Sequence, residues 1–149
     1  MRAVERVLAA LARVGVDPEI REFPEGTRTA PEAAAAVGCE VGQICKSLVF
    51  RVGEDPLLVI ASGANRVDEA RFGATKADAA YVRSTTGFAI GGVPPLGHDR
   101  PIDTVIDEDL LGYDVVWAAA GTPRAVFAIA PDALVTVSGG RVARVSPGS

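Results

Sequence analysis

The sequence predicts an α/β fold in which a mixed or antiparallel sheet of six or seven short strands is flanked by short helices. Three observations support this prediction: β-rich runs recur along the chain, helix-forming segments lie between them, and tight turns join neighbouring strands. Adjacent strands with tight links favour such a sheet over repeated βαβ units. A length of 149 residues suits one domain over residues 1–149.

Five segments carry helix signals. Apolar residues at helical spacing predict a helix over residues 1–14, ended by Gly15. The spacing of Thr29 and Glu32 is that of a capping box and predicts a helix over 30–37. The other three helices are expected from Asn65, as the capping residue, to about Phe72, over 77–87, and from Pro131 onward.

Seven segments carry strand signals. Residues 45–52 and 56–62 are β-rich runs separated by the turn-like sequence GEDP, and they predict the clearest hairpin of the chain. The remaining strands are expected over residues 19–23, 102–108, 114–120, 125–130 and 141–146.

Composition and charge limit the classes of function. The hydrophobic fraction of 48% and charged fraction of 23% are typical of a soluble globular protein. No apolar run approaches the ~20 residues that span a bilayer, so we expect a cytoplasmic protein without membrane contact. A net charge of −4 is unsuited to a broad grip on nucleic acid. If the protein binds a nucleic acid, we therefore expect it to contact only a small part of that molecule, or to depend on a partner for the remaining contacts.

The soft metal ligands are few. Cys39 and Cys45 lack CxxC spacing, and His98 is the single histidine. This set is too small for a structural zinc site, so we expect neither a metal nor another cofactor. His98 is a candidate general base, but no serine or cysteine nucleophile motif accompanies it.

Lys46 opens an otherwise apolar strand, on one face with Ile44 and Leu48. Two interpretations are open from these residues. Its stem covers apolar surface while its ammonium group reaches water, or it is a fixed cation at the mouth of a pocket. A fixed cation would bind a phosphate or carboxylate, or polarise a carbonyl.

The sequence GGVPPLGH at residues 91–98 is the second unusual feature. Successive glycines permit backbone geometry closed to other residues and let a ligand approach closely, and Pro94 and Pro95 stiffen the rest of the loop. Its N–H groups are candidates for binding an anion or a developing oxyanion. The alternative is a structural turn. A P-loop is excluded because the GK[ST] ending is absent.

Polar residues also lie after several strands. Ser62-Gly63 and Gly121 lie in turn sequences that would line a pocket if their strand ends converge near Lys46. The acidic run around Asp107 is interpreted as strand-end and N-cap carboxylates on a solvated face, because a metal site would need convergent partners.

Together these segments resemble the YbaK/ProX (EbsC-like) aminoacyl-tRNA deacylases and the related editing insertion of bacterial prolyl-tRNA synthetases. The resemblance rests on QICKSLVFR, GANRVDEARF, and TGFAIGGVPPLGH ahead of IDEDLL, and it runs from about Glu22 to Thr136. It implies a curved, barrel-like mixed sheet of six to seven strands flanked by short helices. It also implies hydrolysis of the ester that joins a wrong amino acid to tRNA.

The resemblance also implies site residues. The characteristic lysine of the family corresponds to Lys46, and its GxxP loop begins at Gly92; these are the expected catalytic residues. Lys46 would contact the terminal phosphate or the carbonyl, and the loop N–H groups would bind the aminoacyl end or the oxyanion. Substrate contacts are expected from Ser47, Ser62, Gly63, Gly91, Val93, Pro94, Pro95, His98 and Gly121.

One departure bears on the substrate. Cysteine-specific members carry the stretch SGGKRGLD near the late strands, whereas this chain has AAAGTPRAVFAI at residues 118–129, with no matching aspartate. This weakens an assignment to Cys-tRNA(Pro) and leaves Ala, Ser, Thr and Cys as the side chains removed, with tRNA-Pro as one carrier. The expected partner is the acceptor end of an aminoacyl-tRNA, with a synthetase as a further partner. The alternatives are a non-catalytic binding module of the same fold and a hydrolase of other acyl esters.

Overall fold

The computed structural model describes residues 2–23 and 29–147, and these form helices and strands of the mixed α/β class that the sequence predicts. The helices are α1 (Ala3–Arg13), α2 (Ala30–Val37), α3 (Ala79–Thr86) and α4 (Pro131–Ser138). The strands are β1 (Ile20–Glu22), β2 (Cys45–Val52), β3 (Asp55–Ser62), β4 (Thr75–Lys76), β5 (Asp103–Asp107), β6 (Val116–Ala119), β7 (Ala125–Ile129) and β8 (Arg141–Ala143).

The strands form two sheets, one of five strands in the order β4-β2-β3-β5-β8 and one of three in the order β1-β7-β6. The predicted β2–β3 hairpin is confirmed, with Cys45 opposite Ser62 and Val52 opposite Asp55. Strands β3, β5 and β8 run parallel to one another, so the larger sheet is mixed. The carboxyl ends of β3 and β5 therefore lie at one edge of this sheet, and their starts lie at the other.

The described residues do not close into a continuous barrel. Between the two sheets the backbone pairing is an isolated bridge from Ile44 to Trp117, and β4 and β8 are the edges of the larger sheet. Strand β4 was not predicted. It contains only Thr75 and Lys76 and pairs with Phe50 and Arg51 of β2, so it is too short to show the alternation by which strands are recognised.

Helix boundaries agree with the capping signals. The Thr29 hydroxyl accepts from the Glu32 N–H at 3.2 Å at the start of α2. The helix expected over 77–87 begins two residues later, because Asp78 accepts from the Tyr81 N–H at 2.8 Å. The first helix is confirmed from Ala3, and Met1 lies outside the described residues.

The helix predicted from Asn65 to Phe72 was wrong. This segment holds only a 3₁₀ turn, Glu69–Phe72, which begins after Asp68. Asn65 does not cap a helix, because its side-chain amide donates to the carboxylates of Asp107 and Asp109 instead. The last strand also ends early, at Ala143, and Val145 turns inward, where its carbonyl accepts from the Asp68 N–H at 2.7 Å.

The two faces of the larger sheet are both covered. One face packs with α1, α3, α4 and the smaller sheet in the main core, which includes Leu58, Ile60 and Phe127. The other face forms a second buried cluster, which includes Leu57 and Val59. Burial on both faces explains the continuous apolar run of β3. In the described residues no helix is long and apolar enough to cross a membrane.

Candidate active site

Lys46 lies on the face of β2 that carries the second cluster, opposite Ala61. It is half-buried, and its Nζ donates to the backbone carbonyl oxygen of Asn65. Burial lowers the pKa of the Lys46 ammonium below its ordinary value, and the nearby carboxylate of Asp107 opposes this shift. Lys46 is therefore held by the protein, a geometry that favours the interpretation of a fixed cation.

The buried carboxylate of Asp107 holds the segment whose backbone carbonyl accepts from Lys46. Asp107, at the end of β5, is 1% exposed. Its Oδ2 accepts from the Ser62 N–H at 2.9 Å and from the Asn65 side-chain amide at 2.9 Å, and its Oδ1 accepts from the Asp109 N–H at 3.0 Å. The segment after β3 is thereby held so that its carbonyl faces Lys46.

Sequence reasoning missed the role of Asp107. It does cap the following 3₁₀ segment, as expected, but it lies in the interior and not on a solvated face. Ser62 belongs to the same network, since its hydroxyl donates to the Gly42 carbonyl at 2.8 Å. The parallel pairing of β5 with β3 brings Asp107 to Ser62. A carboxylate directly after an apolar strand was the only sequence signal.

The Gly/Pro loop begins with a β-turn at residues 89–92. The Gly92 N–H donates to the Ala89 carbonyl at 3.0 Å, and Gly91 has φ of +85°, as the third residue of a type II turn requires. Thus the Gly92 N–H is used inside the loop. Among the described residues, neither the Gly91 N–H nor the Val93 N–H has a hydrogen-bond acceptor.

Close packing explains the second glycine. A Cβ on Gly92 would lie 2.6 Å from the Cα of Thr122, so the loop rests directly on the turn after β6. Gly121 of that turn has φ of +103°, and a Cβ there would lie 2.8 Å from the Ala3 carbonyl oxygen. Both glycines therefore allow backbones to approach one another.

His98 stabilises the Gly/Pro loop through a hydrogen bond to its backbone. Its Nε2–H donates to the Pro94 carbonyl at 2.7 Å, and Phe88 packs edge-on against its ring. Burial is the main cause that lowers the pKa of His98, and Arg6 adds to it, while the bond to Pro94 and the charge of Asp99 oppose it. The neutral imidazole is therefore favoured, and it supports the loop.

Two grooves meet at Lys46. The large groove, of about 700 Å³, also contains Phe50, Arg66, Lys76 and Val93. The small groove, of about 430 Å³, also contains Ala30, Gly63, Trp117, Ala119 and Thr122. Both are lined by Lys46, Ser47, Leu48 and Gly91, which we call the shared ridge.

Ser47 has an unusual environment on this ridge. Its Oγ is buried and has no hydrogen-bond partner among the described residues. Buried hydroxyl groups are normally satisfied, and the Ser47 Oγ is an exception to that rule in the described part of the chain. Lys46 and Ser47 are consecutive residues of β2, so their side chains leave opposite faces of the strand, and each residue lines both grooves.

The comparison with family models decides the class of protein. Residues 24–137 match the model of the aminoacyl-tRNA editing domain. The chain belongs to this family. The match spans well over half of the chain and contains the shared ridge, the Gly/Pro loop and Asp107, in agreement with the resemblance drawn from the motifs.

Relatives of this editing domain agree with that membership. A crystal structure of a candidate trans-editing enzyme for prolyl-tRNA synthetase is 47% identical, with a TM-score of 0.92 and coverage of 99% of both chains. The candidate Cys-tRNA(Pro)/Cys-tRNA(Cys) deacylase EbsC of Enterococcus faecalis is 26% identical over 133 residues, 83% of this chain and 80% of EbsC. YwhH of Bacillus subtilis, an uncharacterized protein, is 28% identical over 131 residues, 83% of each chain.

The expected site residues of the editing domain fall into two groups. The first lines the grooves: Lys46, Ser47, Gly63, Gly91 and Val93. The second lies outside the lining of both grooves: Ser62, Gly92, Pro94, Pro95, His98 and Gly121. Within the described ranges, no group of three or more His, Cys, Asp or Glu side chains could hold a metal ion.

Proposed function

We propose that this editing domain is a trans-editing deacylase that hydrolyses the ester between a wrong, small amino acid and its tRNA. The observation that carries the proposal is the shared ridge, where the half-buried cation Lys46 and Ser47, whose hydroxyl has no partner among the described residues, line two grooves. An aminoacyl ester has two dissimilar parts on either side of its carbonyl. A ridge of polar groups between two grooves matches that arrangement.

The grooves differ in a way that suggests an orientation. The large groove contains three cations, Lys46, Arg66 and Lys76, against the two carboxylates of Asp68 and Glu69. The excess of positive charge suits the phosphates of the terminal nucleotides. The small groove is bounded by Ala30, Ala119 and the Trp117 ring, which suits a small side chain. We therefore assign the terminal adenosine to the large groove and the amino acid to the small one.

The chemistry requires no strong protein nucleophile, because the ester is already activated. The domain must orient the ester, admit a water molecule and stabilise the developing oxyanion. In this proposal Lys46 contacts the carbonyl or the terminal phosphate. The N–H groups of Gly91 and Val93, rather than that of Gly92, bind the aminoacyl end. A ribose hydroxyl of the substrate helps to activate the water.

The substrate proposal includes Ala, Ser, Thr and Cys, with tRNA-Pro as one carrier. Exclusion by size is effective against a larger side chain, whereas a smaller one loses only ~1–3 kcal/mol per methylene. The 47% identical relative described for prolyl-tRNA synthetase supports tRNA-Pro. The relative EbsC, at 26% identity, keeps cysteine among the candidates, but the absence of an aspartate in residues 118–129 makes cysteine a weaker choice.

A panel of charged tRNAs tests the proposal. Purified protein is incubated with tRNAs that carry Ala, Cys, Ser, Thr or Pro, and loss of the ester is measured over time. Rapid loss from at least one small amino acid, with Pro spared, is the expected result. Binding without ester loss across the panel would favour the non-catalytic module.

Two further conditions complete the panel. Acyl esters that lack tRNA should be poor substrates, and efficient hydrolysis of them would favour a general esterase. Adding a cognate synthetase tests whether a partner increases the rate. Because charged tRNA is consumed at the ribosome, the proposal includes a cytoplasmic location.

A further inference from the structure

A third cavity, of about 610 Å³, lies at the edge of the larger sheet where β3, β5 and β8 begin. Its lining includes Arg71, Phe72, Arg100 and Arg141, together with Asp55 and Asp103. We call it the arginine cavity. It shares no lining residue with either groove of the ridge, and neither the motifs nor the proposed reaction assigns it a role.

Two of its three guanidinium groups are unpaired. Arg141 forms an ion pair with Asp103 at 3.5 Å, whereas Arg71 and Arg100 have no ion pair or side-chain hydrogen bond among the described residues. Elsewhere in the described part of the chain, Arg6, Arg21 and Arg51 form ion pairs with carboxylates, and several exposed arginines do not. The distinguishing feature of Arg71 and Arg100, which are also exposed, is that they line one cavity. The arginine cavity thus holds cationic donors without an internal acceptor in a chain whose net charge is −4.

The arginine cavity is a direct neighbour of the large groove. The segment of residues 66–72 borders both, because residues 66–69 line the groove and residues 71–72 line the cavity. Phe50 of the groove is also opposite Leu57 of the cavity. A ligand that leaves the groove along this side therefore reaches the guanidinium groups.

The spacing suits a nucleic-acid strand. Lys46 pairs with Ala61, four residues beyond Leu57 along β3, which corresponds to ~13 Å at ~3.3 Å per residue. A stacked strand advances ~3.4 Å per nucleotide, so this separation spans about four nucleotides. The unpaired 3′ end of a tRNA has this length.

We propose that the arginine cavity binds the RNA backbone of the acceptor end, about four nucleotides from the ester. This inference rests on the proposed function, because it places the ester at Lys46. Three arginines against two aspartates leave one net positive charge, which matches a single phosphodiester better than a free triphosphate. The Phe72 ring supplies an aromatic surface of the kind on which unpaired bases stack.

The inference also reconciles the acidic composition with an RNA substrate. Arg66 and Lys76 in the large groove, like Arg71 and Arg100 in the cavity, lack partners among the described residues. Arg66 and Lys76 line the large groove beside Asp68 and Glu69, and Arg71 and Arg100 line the adjoining cavity. A weak contact with one RNA strand requires only a few such cations, whereas a broad basic surface would bind any nucleic acid.

The test compares the double variant Arg71→Gln plus Arg100→Gln with the wild type on two substrates. These are an aminoacyl minihelix, which has the complete acceptor end, and aminoacyl-adenosine, which stops short of the cavity. We expect kcat/KM for the minihelix to fall by roughly tenfold or more, since a hydrogen bond to a charged group is worth at least that factor. Activity on aminoacyl-adenosine should be unchanged.

Salt dependence and a matched control sharpen the test. The slope of log kcat/KM against log salt concentration should fall by ~0.7 for each phosphate contact removed. The control is Arg2→Gln plus Arg13→Gln, an equal change of charge at the two ends of α1, where both residues are exposed and line neither cavity nor groove. It should leave both the rate and the slope unchanged.

Three outcomes would overturn the inference. They are equal losses on both substrates, equal losses in the control, and wild-type behaviour of the double variant on the minihelix. Stabilisation of the wild type by inorganic phosphate, without any effect of the double variant on the minihelix, would assign the cavity to a free anion instead.

Failure of the proposed function is recognised separately. If the wild type hydrolyses no ester, binding of an uncharged minihelix is measured by fluorescence anisotropy. Weaker binding by the double variant than by the α1 control would still support the cavity as an RNA contact, and equal binding would reject it.

Discussion

The side-chain amide of Asn65 donates to the buried carboxylate of Asp107 over 2.9 Å, while the backbone carbonyl of the same asparagine accepts from Lys46. The proposed catalytic cation is therefore connected to a carboxylate at the end of a different strand. Asp107 also favours the protonated form of Lys46 through its charge. One residue thus acts on both the position and the protonation of another.

Replacing Lys46 should separate catalysis from folding. In Lys46→Ala we expect single-turnover deacylation to slow by ~10²–10³-fold, the usual cost of losing one electrostatic stabiliser. The fold should persist, because burial penalises the ammonium group. The variant Lys76→Ala removes the other lysine of the chain, which also lines the large groove but is assigned to a phosphate rather than to the ester, and it should lose much less activity. A folded Lys46→Ala protein with wild-type turnover would rule out the assigned role.

Asp107→Asn should affect both stability and the pH profile. An asparagine directs an NH₂ group toward one of the donors that Asp107 now accepts from, and we expect a loss of ~1–3 kcal/mol in the free energy of unfolding. Loss of the negative charge should also lower the pKa of Lys46 further, so the alkaline limb of the rate profile should move to lower pH. The exposed Asp114→Asn, which lies outside the Asn65 network, serves as control, and an unmoved alkaline limb in Asp107→Asn would contradict the coupling.

The two loop glycines should respond differently to alanine. Gly92→Ala directs a Cβ to within 2.6 Å of the Thr122 backbone, so thermal unfolding should occur at a much lower temperature. Gly91→Ala has its nearest contact at 3.6 Å, from Pro123, and should lose only the ~1–2 kcal/mol of a left-handed backbone. Gly53→Ala is the matched control, since Gly53 has φ of +65° and open space around it.

The deacylation rate should distinguish Gly91→Ala from Gly53→Ala. Gly91→Ala and Gly53→Ala should be similarly stable, but only Gly91→Ala should lower the deacylation rate, because Gly91 belongs to the shared ridge. Equal rates in these two variants would argue against a substrate contact at Gly91.

His98 should make the protein less stable in acid. Its pKa in the folded state lies below the ordinary value of 6.5, so below that pH the unfolded chain binds the proton more readily than the folded one. Stability is therefore unaffected at neutral pH and falls as the pH drops through 6.5 and on through the lower folded-state pKa. His98→Gln, whose amide can still donate to the Pro94 carbonyl, should reduce this loss in urea unfolding measured at about pH 7.5 and about pH 5. An identical loss in both proteins would assign it to other groups.

Local signals were enough for most elements. The β2–β3 hairpin is predicted by two β-rich runs around a turn, and α2 is predicted by Thr29, whose side chain meets its partner within one helical turn. The helix predicted from Asn65 was wrong, because an asparagine looks the same in a sequence whether it caps a helix or bonds a distant carboxylate. Strand β4 was missed because a strand of two residues exists only through its partner.

The candidate site, like the fold, has features that local sequence signals predict and features that depend on tertiary contacts. The sequence by itself determined the unusual groups, a lysine opening an apolar strand and a glycine-proline loop, because each is costly or rare in its local setting. Only the tertiary structure decided that Asp107 lies behind Lys46, that Ser47 has a hydroxyl without a partner among the described residues, and that the Gly92 N–H is used within the loop. These facts depend on which strands become neighbours and which backbones touch. The contacts of Asp107 join residues far apart in the chain, and short-range sequence patterns carry no record of them, whereas the Gly92 bond is local and depends on the turn that residues 89–92 adopt.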